Sequence, residues 1–157
     1  MKLQKHIASI LILAMLMVVF VGCENKEYFY DFRQDLENVE KVSIFSNDPE
    51  TDTRTLITDL EEGNGKELTN ILATMKCGKY FPGDHPRHYG LLIIALTYTD
   101  GETELIGLYN TGWVAPDGVK YLSSYYFDEK EVYDLICRFV DPEMLPDMSE
   151  ESPHWFS

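Results

Sequence analysis

The sequence predicts an α+β fold: an antiparallel sheet of about five strands in the order β-β-α-β-β-β-α, with two helices packed on one face. Three observations predict it. Two stretches, 66–76 and the one following Asp128, carry apolar residues at helical spacing. Three strand-length segments between residues 90 and 127 are separated by Asp-Gly and Pro-Asp-Gly turns. A pair of short strands precedes the first helix.

Taken in order, residues 41–46 alternate, with Val42 and Ile44 on one side and Ser43 and Phe45 on the other, which is strand periodicity. Asn47-Asp48-Pro49 is a turn cluster, and 54–58 returns as a second, shorter strand of a loose hairpin. Gly63-Asn64-Gly65 reads as a break. Leu68, Ile71, Leu72 and Met75 then sit at i, i+3, i+4 and i+7 and predict a helix over 66–76, stopped by Gly78. Residues 79–88 are a loop by their prolines and glycine.

Residues 90–99 form an apolar strand, and Asp100-Gly101 reads as a two-residue type I′ turn. Residues 102–114 return, Pro116-Asp117-Gly118 turns again, and 120–127 gives a third, Tyr-rich strand of an antiparallel meander. Asp128 caps the next helix with Glu131 as its box partner, and Val132, Leu135, Ile136, Phe139 and Val140 form the apolar face. Asp141-Pro142 stops it, and residues 142–157 read as an acidic, flexible tail. The α+β domain is expected over 39–141, with no internal repeat.

The first residues carry a different signal. Lys2 and Lys5 precede an apolar run over 7–21, too short for the about 20 residues of a membrane span and of the length of a secretory signal's core. The run ends in Phe20-Val21-Gly22-Cys23, followed by charged residues. Val21, Gly22 and Cys23 resemble the lipobox of bacterial prolipoproteins, with Phe20 where that motif usually has Leu. The resemblance implies a signal peptide over 1–22, cleavage before Cys23, a diacylglyceryl (palmitate-type) anchor on the Cys23 sulfur, and a lipidated tether over 23–38 whose aromatic second half lies against the domain. Two acyl chains hold a protein stably where one does not. The expected location is the outer face of the cytoplasmic membrane, and no cofactor is expected beyond the anchor. Further along, Tyr98-Thr99-Asp100-Gly101 and Phe127-Asp128-Glu129 resemble the hairpin and terminal-helix motifs of uncharacterised small surface lipoproteins of Gram-positive bacteria. That likeness implies an architecture and carries over no catalytic residue.

Lys and Arg number 13 against 27 Asp and Glu, a net charge of −14, which argues against nucleic acid as a partner and gives repulsion from anionic lipid heads. Outside the cytoplasm, Cys77 and Cys137 leave open either a disulfide or two unpaired thiols.

Chemistry-bearing patterns are few. Asp84, His85 and His88 offer carboxylate and imidazole ligands on a Pro-containing loop, without the helical spacing or Cys pairs that frame a metal site. Ser123 and Ser124 lack a nucleophile elbow, and no glycine-rich phosphate loop occurs, so an enzyme is not expected. A two-residue turn at Asp100-Gly101 places Leu92, Ile94, Leu96, Tyr98, Leu105 and Tyr109 on one sheet face and Ile93, Ala95, Thr97, Glu104, Ile106 and Leu108 on the other. Helices cover one face only. The other then exposes apolar or aromatic area suited to a protein partner, with Tyr98, Tyr109, Trp113, Tyr121 and Tyr125 as candidate contacts. The expected function is a membrane-anchored, non-catalytic module binding an envelope or secreted protein. The alternatives are a small-ligand or metal-sensing lipoprotein using the Asp84–His88 loop, or a structural envelope protein. Partner identity and oligomeric state are not encoded in any motif.

Overall fold

The computed structural model describes residues 27–48, 50–79, 90–107, 111–114, 119–123 and 125–146. The fold is α+β. It has two antiparallel sheets rather than the expected one. In chain order the strands are β1 (Tyr28–Phe29), β2 (Val39–Asp48), β3 (Thr53–Asp59), β4 (Lys76–Lys79), β5 (Leu92–Tyr98), β6 (Thr103–Gly107), β7 (Thr111–Val114), β8 (Lys120–Leu122) and β9 (Tyr125–Phe127). The helices are α1 (Glu62–Thr74) and α2 (Glu129–Ile136), with 3-10 turns at Leu36–Asn38 and Pro142–Met144. The large sheet runs β3-β2-β5-β6-β7-β8 and the small one β1-β4-β9.

The main core lies between the inner face of the large sheet, both helices and the small sheet. Val42, Ile44, Leu92, Ile94, Leu96 and Ile106 meet Leu68 and Leu72 of α1, Val132, Leu135 and Ile136 of α2, and Phe127 of β9. Central β5 is closed on both sides. Ile93, Ala95 and Leu105 form a second buried cluster on the outer face, flanked by Phe45 and Val114. That face was expected to expose apolar or aromatic area. Its aliphatic centre is instead closed, at most 4 % exposed.

The β5–β6 hairpin departs from expectation by one residue. Gly101 N–H donates to the Tyr98 carbonyl (2.9 Å) and Tyr98 N–H to the Glu102 carbonyl (2.9 Å), while Gly101 takes φ +85°. This is a type I turn followed by a left-handed glycine, a three-residue loop in place of the two-residue type I′ turn. A one-residue shift moves every β6 side chain to the other face. Leu96 therefore pairs with Glu104 and Ile94 with Ile106, so Glu104 and Ile106 point inward and Leu105 outward, the reverse of the sequence expectation.

The predicted Tyr-rich strand over 120–127 is broken into β8, on the large sheet, and β9, on the small one. Ser123 marks the break, its Oγ accepting from the Tyr125 N–H at 3.0 Å. Helix α1 starts at Glu62, ahead of the expected break, and runs through Gly63-Asn64-Gly65. Gly65 is buried there, and a Cβ on it would stand 3.0 Å from Val42 Cγ2, so the glycine brings the first helical turn onto β2. The helix ends at Thr74, and the segment expected to stop it becomes β4. Asp128 caps α2 as expected, accepting from the Glu131 N–H at 3.0 Å. Residues 142–146, read as tail, are folded: Asp141 caps the second 3-10 turn and Leu145 is buried in the core.

The two glycines of α1 separate backbone propensity from packing. Nothing lies within 4 Å of a Cβ at Gly63. Gly63→Ala should raise stability by about 0.5–1 kcal/mol. Gly65→Ala should lower it, because Val42 is buried and stiff at χ1 and must move. Urea midpoints of the two variants against wild type test both signs.

Candidate functional site

The inward turn of Glu104 places a carboxylate in the protein interior, 1 % exposed. An ion there costs several kcal/mol unless its oxygens are satisfied. Three donors reach it. Tyr30 Oη donates to Oε1 at 2.5 Å, the Tyr98 hydroxyl donates to Oε2, and the Arg33 backbone N–H donates to Oε2 at 3.1 Å. Burial is the largest influence and pushes the Glu104 carboxyl above its usual range, with the hydrogen bonds opposing it. Burial, reinforced by the adjacent Glu104, also pushes the Tyr98 hydroxyl far up, so it stays a donor.

Two of these donors come from the segment expected to be a tether, and it is fastened along its length. Tyr28–Phe29 pairs with β4, and the Tyr30 ring stacks edge-on against Phe32 (4.9 Å between centroids) and tilts over Phe127 (5.5 Å). Arg33 forms an ion pair with Glu102. Gln34 Nε2 donates to Asp100 Oδ2 at 2.6 Å, while Asp100 Oδ1 takes the Glu102 N–H at 3.0 Å and closes the turn. The hairpin's acidic residues thus receive the chain that leads from the N-terminus. This clasp was missed in the sequence. Its signal was Glu104, a lone acid in an apolar strand, and it was assigned to the wrong face through the turn.

The clasp has no access for a substrate: Tyr98 is fully buried and Tyr30 is 6 % exposed. A general acid or base must come within hydrogen-bond reach of a reactant. The arrangement fastens the N-terminal segment to the sheet.

The candidate binding tyrosines separate. Tyr98 is in the core and offers no surface, a correction to its expected role that follows from its side of β5. Tyr125 lies on the small sheet, partly buried, with its ring 5.8 Å from Tyr28 and Lys79 Nζ 5.5 Å from its centroid. Tyr121 is 46 % exposed on β8, the last strand of the large sheet, between Val119 (44 %) and Leu122 (47 %). Trp113 is in β7 opposite Tyr121, and Tyr109 lies outside the described residues. So do Asp84, His85 and His88, and Cys23. Among the described residues no group of three or more His, Cys, Asp or Glu is placed to hold a metal ion. Cys77 and Cys137 carry free thiols in this structure, and burial pushes Cys77 up to about 11, leaving it protonated and unreactive at neutral pH. Among the described residues no helix is long and apolar enough to cross a membrane.

No family model matches the chain, and no curated protein or solved structure is similar to it.

The raised Glu104 pKa carries a definite sign. The folded state holds this proton more tightly than the unfolded chain, so its contribution to stability falls as pH rises from the ordinary Glu value of 4.5 through the raised one. In Glu104→Gln that component should vanish. Urea unfolding of both proteins from pH 4 to pH 8 gives the difference curve. A wild-type-minus-variant stability that does not decline with pH would refute the assignment.

Proposed function

We propose that the protein is an extracytoplasmic lipoprotein, anchored through a diacylglyceryl group on Cys23, whose folded domain is a non-catalytic module that binds another protein. The observation that carries this reading is the fastening of the N-terminal segment. From Tyr28 onward the chain is built into the domain by β1, Tyr30 and Arg33, and only four residues separate Tyr28 from the cysteine that ends the apolar run. A segment that had merely to link an anchor to a domain would need no such clasp.

The surface best suited to a partner is β8. It is the last strand of the large sheet, and strand addition at the end of a sheet is a recurring mode of peptide recognition. Val119, Tyr121 and Leu122 give that strand three exposed apolar side chains within four residues. This replaces the outer sheet face as the binding surface and keeps Tyr121 as its contact.

Two measurements test the reading. Metabolic labelling with an alkyne fatty acid, with mass spectrometry of the N-terminus, should find a diacylglyceryl adduct on a chain starting at Cys23, and Cys23→Ala should lose both label and membrane fractionation. An uncleaved N-terminus would overturn the anchor. A photocrosslinker at Tyr121 should capture one envelope or secreted protein, lost on Leu122→Glu. Capture that is equal from Leu56 on the opposite edge would overturn the binding surface.

A further inference from the structure

The small sheet differs in composition from the rest of the molecule. In a chain with 27 acidic residues, β1, β4 and β9 carry Tyr28, Phe29, Tyr125, Tyr126, Phe127 and two lysines, and no carboxylate. Strand register divides these residues between two faces. Cys77 pairs with both Tyr28 and Phe127, so these three point together toward the core. Phe29 pairs with Lys76 and Gly78 with Tyr126, so Phe29, Lys76 and Tyr126 share the outer face. Phe29 is 48 % exposed. The Tyr126 ring lies across Gly78, where a Cβ would be 2.3 Å from the ring. Lys76 on this face takes Glu27 as its ion partner at 2.6 Å, and Glu131 lies within its electrostatic reach.

We propose that the outer face of the small sheet rests on the lipid bilayer, with Phe29 entering the headgroup layer. The proposal depends on the reading of Cys23 as the lipid anchor. The argument is one of reach and of chemistry. Five residue steps connect Cys23 to Tyr28, an extended span of at most about 18 Å. The headgroup layer is itself about 5–8 Å deep on each side. A domain held this closely must present some surface to the membrane, and β1 is the element nearest the anchor. Aromatic rings and lysines are the side chains that bilayer interfaces favour. Carboxylates are repelled by the negative surface potential, and the three strands themselves carry none. The contact itself need only be weak, because the anchor makes it intramolecular. The same geometry turns the β8 edge, on the other sheet, to a separate task.

The test uses the full chain in membranes of the expressing cell, with a photocrosslinking amino acid at 29, 56 or 121 and an alkyne-bearing phospholipid supplied to the cell. Lipid adducts should form severalfold more at 29 than at 56 or 121. Equal yields at the three positions, or no adduct at 29 in a membrane-bound chain, would overturn the docking. Failure of the anchor reading is recognised separately, by the absence of a diacylglyceryl group from Cys23. The docking is then read on chain coupled through Cys23 to a maleimide lipid in phosphatidylcholine–phosphatidylglycerol vesicles. There a selective adduct at 29 supports the docking, and its absence overturns it.

Discussion

The carboxylate of Glu104 sits where two sheets and the N-terminal segment converge, and its three hydrogen bonds tie them together. Tyr98 brings β5, Tyr30 brings the chain from β1, and the Arg33 N–H brings the turn that leads to β2. Removing any donor would leave a buried acceptor short of partners, a cost of about 1–3 kcal/mol. The carboxylate would otherwise be the most expensive group in the interior. Its position there makes sense only with the N-terminal segment in place, so the docking of that segment and the register of the hairpin require one another.

That dependence explains the layout around it. The large sheet has a closed centre, with β5 buried on both faces, and the exposed large apolar side chains Leu56, Tyr121 and Leu122 lie on its end strands. The small sheet is a cap over the core, made of three short strands from distant parts of the chain. Two to four residues per strand would not hold by backbone pairing alone. They hold because Tyr28, Cys77 and Phe127 add their inner face to the main core, and because Tyr30 beside β1 is locked to Glu104. The functional reading follows the same division. On the proposed reading the small sheet would lie nearest the anchor, while β8, on the other sheet, carries exposed apolar side chains.

Much of this was legible in the sequence, and the failures have physical causes. The Asp128 cap depends on residues within one turn and stands as read, whereas the helix expected to run to Asp141 ends at Ile136, so its apolar face is Val132, Leu135 and Ile136, and Phe139 and Val140 follow it in a turn. The first hairpin is also local, since Asp48 closes its own turn by accepting from the Glu50 N–H and the Thr51 hydroxyl. Alternation correctly divided β5 and β6 into two faces. It did not determine which face of β6 joins which face of β5, because Asp100-Gly101 is compatible with a two- or a three-residue loop. That single residue put Glu104 on the face that β5 already gives to Tyr98, and so made the two partners.

The sequence by itself determined the class of fold, the first hairpin, the α2 cap and the acidic balance, because these rest on local periodicity, turn chemistry and composition; it read 102–114 as one strand where β6 and β7 pair with each other. Only the tertiary structure decided that Gly65 belongs inside a helix, since its reason is Val42 on another strand. Only the tertiary structure split residues 120–127 between two sheets, since β9 is held by β4 and not by its sequence neighbour. The clasp of Tyr30 on Glu104 spans 74 residues of sequence. No periodicity reaches that far. Such a pair forms only where burying a charge makes its partners necessary.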